Sequence, residues 1–243
     1  MEYPQGITAA HVEQVFQGAA DLVIRPLQLG PVRATAYFID GLTSGSEIAD
    51  FVLHPMSQKL RGTAQEMLDQ CLDGTVYSAV AQPVENMADL CRLLVNGFCV
   101  VVFEGLDRAA AFEAKTGEKR SPAPPEVENT VKGPKDAFTE TVRTNTSLLR
   151  RHLRSPWLRF YETQVGTHSM TNVTVVWLEG VTDPKLVQRM KRRLDTIDID
   201  GFLSPSAVEE YVTGSRATAF PLLQYTERPD RFCQGLLDGR VGL

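Results

Sequence analysis

Short apolar runs alternate with helical patterns along the chain. The runs "ATAYFIDGL" (34–42) and "NVTVVWLEGV" (172–181) are rich in β-branched and aromatic residues and contain a glycine near the end, which predicts buried strands. "SGSEIADFVLHPM" and "DPKLVQRMKRRL" follow them with apolar residues at helical spacing, and "MADLCRLLVNG" predicts a helix before the strand "FCVVVFEG". Strands that alternate with helices predict an α/β fold with helices packed on a central sheet.

The predicted helix starts carry capping residues. Ser44 or Ser46 stands where a side-chain oxygen can cap the first of these helices, and Asp183 stands at the start of the second. Pro184 follows in the first turn, where a missing N–H donor is tolerated.

Two sequence patterns of the first half recur in the second half. "YFIDGLTS" (37–44) matches "VWLEGVTD" (176–183) 139 positions later, and "CRLLVNG" (91–97) matches "CQGLLDG" (233–239) 142 positions later. Two matches at nearly equal offset predict an internal duplication. The expected architecture is therefore two similar α/β subdomains, each a small mixed sheet with packed helices, joined by a proline-rich linker.

A linker separates the two predicted subdomains. The stretch "KTGEKRSPAPPEVENTVKGP" (115–134) has four prolines and almost no large apolar residues, so it cannot contribute much core. We expect a first subdomain with an N-terminal extension at 1–118, a linker with a Gly-Pro turn at 119–136, and a second subdomain at 137–243. Because "DGRVGL" stops about four residues short of the glycine that ends the matching strand, we also expect the second subdomain to be cut within a strand, ahead of further chain.

Composition and charge indicate an ordinary globular protein and point to no particular reaction or ligand. With 43% hydrophobic and 23% charged residues the chain is of ordinary globular composition, and no run approaches the roughly 18–20 apolar residues of a membrane helix. The four cysteines form no C-x-x-C pair, which favours buried reduced thiols. Residues 1–118 carry a net charge of −8 and residues 119–243 a net charge of +3, a contrast that indicates two units with different neighbours.

The sequence contains no recognisable catalytic motif, so we predict no catalytic, cofactor-binding or metal-binding residue and no enzyme. "VKGPKDA" resembles a phosphate loop superficially, but Pro134 removes a backbone donor that such a loop needs. The four histidines have no metal-ligand spacing, and no G-x-S-x-G nucleophile motif is present. Asp40 and Glu179 follow equivalent predicted strands; they could line ligand sites there or cap the following helices or loops.

The segment "LLRRHLRSPWLRF" (148–160) is the most basic part of the chain. Leucines at helical spacing predict an amphipathic helix with a basic face over residues 143–159. In an acidic chain without a nucleic-acid motif, this face favours an anionic protein partner or a membrane surface over DNA or RNA.

The stretch "ENTVKGPKDAFTETVRTNTSLLRRHLRSPWLRF" resembles the signature of the A subunits of GerA-type spore germinant receptors. Residues that match this signature, and that we take as the candidate hinge or assembly site, are Lys132, Gly133, Pro134, Lys135, Phe138, Glu140, Arg143, Asn145, Arg150 and Arg151. The chain departs from the family pattern at Lys135, where arginine is usual, and at His152, where arginine or lysine is usual.

The resemblance implies a cytosolic domain that precedes a helical membrane domain in the inner membrane of a bacterial spore, on the core side. It implies B and C subunits and further A subunits as partners, and a role in coupling nutrient sensing to ion release; the residues themselves predict no nucleic acid and no cofactor. Two alternatives stay open: a scaffolding domain of the related stage V sporulation protein AF, or a protein that binds a small-molecule ligand between its subdomains near Asp40 and Glu179.

Overall fold

Strands and helices of the chain divide between two α/β units. The computed structural model describes residues 2–76, 79–116, 125, 128, 133–201, 211–213 and 222–243. The first unit comprises Met1–Arg120 together with Leu153–Trp157, and the second comprises Ser121–His152 together with Leu158–Leu243. The predicted α/β class is confirmed.

The first unit is built on a five-stranded antiparallel sheet with the order β1-β2-β4-β5-β3. Its strands are β1 (Leu22–Leu29), β2 (Val32–Ile39), β3 (Ala81–Val84), β4 (Phe98–Phe103) and β5 (Ala109–Glu113). Its helices are α1 (Ala9–Val15), α2 (Gly45–Glu47), α3 (His54–Lys59), α4 (Ala64–Leu72) and α5 (Met87–Leu94).

Both faces of this sheet are covered. On β4, Val100 and Val102 pack in one hydrophobic cluster, whereas Cys99, Val101 and Phe103 pack in the other. Successive side chains of a strand point to opposite faces, so a strand buried on both sides must be apolar throughout. This explains the uninterrupted run "FCVVVF" that predicted a buried strand.

The predicted helix starts are confirmed, and Ser44 rather than Ser46 is the cap of α2. The Ser44 hydroxyl accepts a hydrogen bond from the backbone N–H of Glu47. Between α2 and α3 the backbone takes the wider π-helical form over Ile48–Leu53, which sequence periodicity did not predict.

The second unit contains the antiparallel hairpin of β6 (Leu158–Val165) and β7 (Thr171–Leu178). Its helices within the described residues are α6 (Val142–His152), α7 (Pro184–Asp195) and α8 (Pro229–Leu237). Asp183 caps α7 as predicted, since its Oδ1 accepts a hydrogen bond from the N–H of Lys185 at 2.9 Å. On the other edge of β7, Gly242 forms an isolated antiparallel bridge with Val176.

The basic helix predicted over 143–159 is shorter in the structure. Helix α6 ends at His152, and β6 begins at Leu158 beyond a segment that contains Pro156. Proline has no N–H to continue a helix, and the residue before it disfavours the helical conformation. Arg159 lies in β6 and is 3% exposed, so it does not belong to a solvated basic face.

No helix in the part of the chain that the structure describes has both the length and the apolar character required to cross a membrane.

Candidate functional site: the signature segment

The residues of the family signature form one continuous segment of the second unit. We call residues 133–152 the signature segment; Lys132 lies outside the described residues. The segment starts at Gly133, whose φ of +124° lies in the region that favours glycine, and ends with α6.

Phe138 attaches the start of the segment to α8. Its backbone N–H donates to the carbonyl of Glu227 at 2.8 Å, and its ring meets the ring of Phe232 edge-on at a centroid distance of 5.5 Å. Edge-to-face aromatic pairs contribute stability beyond their buried area. The Phe232 ring also lies close to the backbone of Gly242, where it leaves no room for a Cβ atom.

Asn145 closes the loop that precedes α6. Its Oδ1 accepts a hydrogen bond from the backbone N–H of Thr139 at 2.7 Å, and its Nδ2 donates to the carbonyl of the same residue at 2.6 Å. A side-chain amide can satisfy a backbone donor and a backbone acceptor together, which neither a carboxylate nor an ammonium group can do. Asparagine is therefore the residue type that this loop requires.

Two arginines of α6 reach β6. Arg150 is fully buried; its Nη2 donates to the carbonyl of Leu158 at 3.0 Å, and its guanidinium lies 5.0 Å from the centroid of the Phe160 ring. Arg143 forms an ion pair with Glu162, with 3.1 Å between Nη1 and Oε1. Both side chains pack within the second unit, where they join the helix to the hairpin.

Asp136 and His152 join the two ends of the segment. The His152 Nε2 atom lies 2.7 Å from Oδ2 of Asp136, and about one fifth of each side chain is exposed. His152 stands at the C-terminus of α6, where a positive charge interacts favourably with the helix dipole. The pair explains why a basic residue type suits this position.

Sequence reasoning missed an ion pair that joins the chain just before the signature segment to α8. The carboxylate of Glu128 accepts a hydrogen bond from the Thr226 hydroxyl at 2.5 Å and forms an ion pair with Arg231. The hydrogen bond from Thr226 and the positive charge of Arg231 lower the pKa of the Glu128 carboxyl. These partners are about 100 positions apart in the chain, and no local sequence pattern marks such a pairing.

Another part of the segment faces solvent. Of the ten signature residues taken as the candidate site, the exposed ones are Gly133, Pro134, Lys135 and Glu140, and we call these four the exposed rim. Arg151 is half-buried. The signature thus divides into side chains that hold the second unit together and a rim that carries a positive and a negative group on the surface.

Asp40 and Glu179 follow β2 and β7 directly, as predicted, and lie in different units. The backbone N–H of Asp40 donates to the carbonyl of Asp21, and the carboxylate of Glu179 accepts a hydrogen bond from Nε1 of Trp177 at 2.9 Å. The first unit has an open groove of about 830 Å³, lined by residues that include Ile7, and Asp40 is not among the residues that line it. The role of Asp40 and Glu179 in ligand binding stays a prediction.

In the described ranges no group of three or more His, Cys, Asp or Glu side chains is placed to hold a metal ion.

The family model described as Bacillus/Clostridium GerA spore germination protein matches residues 10–243. The chain belongs to the GerA family. The resemblance that the signature indicated is thereby confirmed, and the signature segment lies within the matched region.

Curated GerA relatives align along most of the chain. Spore germination protein KA of Bacillus subtilis (strain 168) is 27% identical over 237 residues, which cover 96% of this chain and 44% of the relative. Stage V sporulation protein AF of the same organism is 28% identical over 222 residues, which cover 91% of this chain and 45% of the relative. The chain therefore spans less than half the length of these relatives.

A solved structure shares the fold. The N-terminal domain of the A subunit of the Bacillus megaterium spore germinant receptor GerK3 superposes with a TM-score of 0.72 at 24% sequence identity. The match covers 99% of this chain and 92% of that domain. The GerA chain thus has the fold of this N-terminal domain.

Proposed function

We propose that the chain is the N-terminal domain of a spore germinant receptor A subunit. In this role it acts as a non-enzymatic sensor and assembly module that helps couple nutrient sensing to ion release. The family match over residues 10–243 and the fold of the GerK3 A-subunit domain support this proposal. The names of the relatives are those of spore germination and sporulation proteins.

The observation that carries the proposal is the division of the signature segment. Phe138, Asn145 and Arg150 contact other parts of the second unit, whereas Lys135 and Glu140 are exposed. A surface held on a packed helix and a closed loop loses little conformational freedom when a partner binds it, which favours recognition. The exposed rim is thus suited to contact another protein.

The proposed partners of this rim are the B and C subunits of the receptor and further A subunits. In a longer protein of the length of the relatives, the domain lies on the core side of the spore inner membrane. A hinge or assembly role for the signature is consistent with the Gly133-Pro134 turn at its start.

A scaffolding role, as the corresponding domain of a protein related to stage V sporulation protein AF, is the second candidate. The identity to that protein, 28%, is as high as the 27% identity to spore germination protein KA, so identity favours neither. The two roles differ in the number of nutrients whose germination response requires the protein.

Deletion of the gene in the producing bacterium tests the proposal. Spores that lack a receptor A subunit are expected to lose the response to one class of nutrients, whereas spores that lack an amplifying scaffold respond more slowly to every nutrient. The measurement is the loss of optical density and the release of ions after addition of single nutrients. Unchanged responses to a broad nutrient panel would contradict both roles.

Substitution in the rim tests the site. Lys135→Ala is expected to slow nutrient-triggered germination at an unchanged protein level, because the residue is exposed and its loss does not disturb the fold. Lys185→Ala, also an exposed lysine of the second unit, is the matched control and is expected to leave germination unchanged. Equal germination rates in the two variants would remove the rim from the mechanism.

A further inference from the structure

The hairpins of the two units have the same dimensions. In β1–β2 and in β6–β7 each strand has eight residues, and the strands pair along their whole length. Tyr37 of β2 and Val176 of β7 occupy the same place in their strands, 139 positions apart.

Two further features correspond between the units. One is the turn that follows each hairpin, and the other is the end of the helices α5 and α8, whose sequences match. The backbone N–H of Thr43 donates to the carbonyl of the last residue of β2 at 3.2 Å, and that of Thr182 donates to the last residue of β7 at 2.9 Å. Gly97 follows α5 and Gly239 follows α8, both with a φ of +83°. The two glycines are 142 positions apart, like the sequence patterns around them.

The chain after each of these glycines returns to the hairpin at the same point. In the first unit Val100 pairs with Tyr37, and in the second unit Gly242 pairs with Val176; both pairs are antiparallel. The N–H and C=O groups of Val176 and Gly242 exchange hydrogen bonds of 2.9 and 2.8 Å. Gly242 therefore pairs with β7 at the same register position at which Val100 of β4 pairs with β2 in the first unit.

The two units differ beyond this point. In the first unit β4 pairs with β2 over four residues, whereas in the described part of the second unit the pairing on this edge of β7 is the single bridge at Val176. Because backbone groups alternate between the two sides of a strand, the N–H and C=O of Thr174 point to the same edge as those of Val176. The Thr174 Oγ1 atom is buried and has no hydrogen-bond partner among the described residues.

The turn after β7 is also less covered than its counterpart. Val181 is 50% exposed, whereas Leu42 at the corresponding place is 7% exposed. The carbonyl of Leu42 accepts a hydrogen bond from the N–H of Thr116, in the chain that follows β5. In the first unit, the chain that continues from β5 therefore covers this turn.

We propose that the edge of β7 over residues 172–175 is a docking site for an antiparallel, apolar strand that continues from Leu243 in a longer polypeptide. The register places the first residue after Leu243 opposite Thr174 and the second opposite Val173, as Val102 and Phe103 of β4 lie opposite residues of β2. The Phe232 ring leaves no room for a side chain at Gly242, so the chain passes close to α8 where it meets the edge of β7. The inference does not depend on the receptor assignment.

Extension of the chain tests the proposal. Val-Phe-Glu-Gly, the sequence of the first unit at this place, is appended to Leu243, and exchange of the Thr174 backbone amide is measured by hydrogen–deuterium exchange with NMR or fragment mass spectrometry. The added strand is expected to slow exchange of this amide by about tenfold or more, because the amide gains a backbone acceptor.

Two proline variants of the extension are matched controls. Proline as the first added residue removes the N–H that faces the Thr174 carbonyl and is expected to abolish the protection, since the strand loses that hydrogen bond. Proline as the second added residue has its nitrogen on the side away from β7 and is expected to retain most of it. Equal exchange in all three extended chains would overturn the proposal.

The unextended chain provides the remaining outcomes. Its Thr174 amide is expected to exchange readily at every protein concentration. Slow exchange in the unextended monomer would overturn the proposal, because another part of the chain would already cover the edge. Protection that appears with rising concentration, together with dimers in analytical ultracentrifugation, would assign the edge to a second copy instead.

Discussion

Arg150 is a basic residue of the signature whose side chain lies in the interior of the second unit. It is fully buried in the second unit, whereas Arg151 beside it is half-buried. A buried guanidinium is tolerated where its N–H groups meet acceptors, and here the Leu158 carbonyl accepts one of its hydrogen bonds while the Phe160 ring contacts its face. Part of the basic character of the signature therefore serves packing.

Replacement of Arg150 by methionine tests this role. Methionine keeps most of the volume but leaves the Leu158 carbonyl without its donor, so we expect a loss of about 1–3 kcal/mol in the free energy of unfolding. Arg189→Met, at an exposed arginine of α7, is the control and is expected to change it by less than about 0.5 kcal/mol. Urea unfolding monitored by circular dichroism measures both; equal losses would show that Arg150 contributes no specific hydrogen bond.

At the scale of elements, α7 is held on the hairpin by a cation between two aromatic rings. The Nζ atom of Lys191 lies 4.3 Å from the ring centroid of Trp177 on β7 and 4.5 Å from that of Tyr161 on β6. The Tyr161 hydroxyl donates to Asp195 of the same helix at 3.0 Å. Burial lowers the pKa of Lys191, and the charges of Asp195 and Glu179 oppose that shift.

The substitution Lys191→Met separates charge from packing. The methylene contacts are largely retained while the cation–π interactions are lost, so we expect the free energy of unfolding to fall by about 0.5–2 kcal/mol. Lys185→Met in the first turn of the same helix is exposed and is expected to cost less than about 0.5 kcal/mol. Tryptophan fluorescence during urea unfolding is the measurement, and identical midpoints of the two variants and the unsubstituted chain would exclude a contribution from the cation.

The helix boundaries show which local signals are sufficient. Asp183 and Ser44 were predicted as caps because capping is a contact between residues three or fewer positions apart. The end of α6 was predicted several residues too late. The leucines beyond His152 continue the helical spacing, but pairing of β6 with β7 places Leu158 and Arg159 in a strand. Such pairing depends on residues about 20 positions away and is not visible in local periodicity.

At the scale of the whole molecule, the buried thiols link folding to pH. Burial raises the pKa of each cysteine thiol from its ordinary value of 9.0 to about 12; the residues are Cys71, Cys91, Cys99 and Cys233. The unfolded chain then releases these protons at lower pH than the folded chain. The stabilising contribution of the buried thiols is complete below pH 9 and decreases as the pH rises from about 9 towards 12.

Unfolding at several pH values with reductant present tests this linkage. Between pH 9 and 10 each thiol is expected to lower the free energy of unfolding by up to about 1.4 kcal/mol. Cys99→Ala is expected to show a shallower decrease than the unsubstituted chain, because one of the titrating groups is absent. Parallel decreases in the two proteins would contradict the linkage.

Local features of the sequence are enough to predict the α/β class, the strands at β2, β4 and β7, the caps of α2 and α7, and membership of the GerA family. These properties follow from alternation of apolar residues, from contacts within one helical turn, and from a long signature, all of which are local in the chain. Tertiary structure alone decided that Arg150 and Arg159 are buried, that Asn145 closes a loop, and that Glu128 meets Arg231. Those outcomes depend on groups brought together from distant positions, because a polar side chain is stable in the interior only where folding supplies its partners.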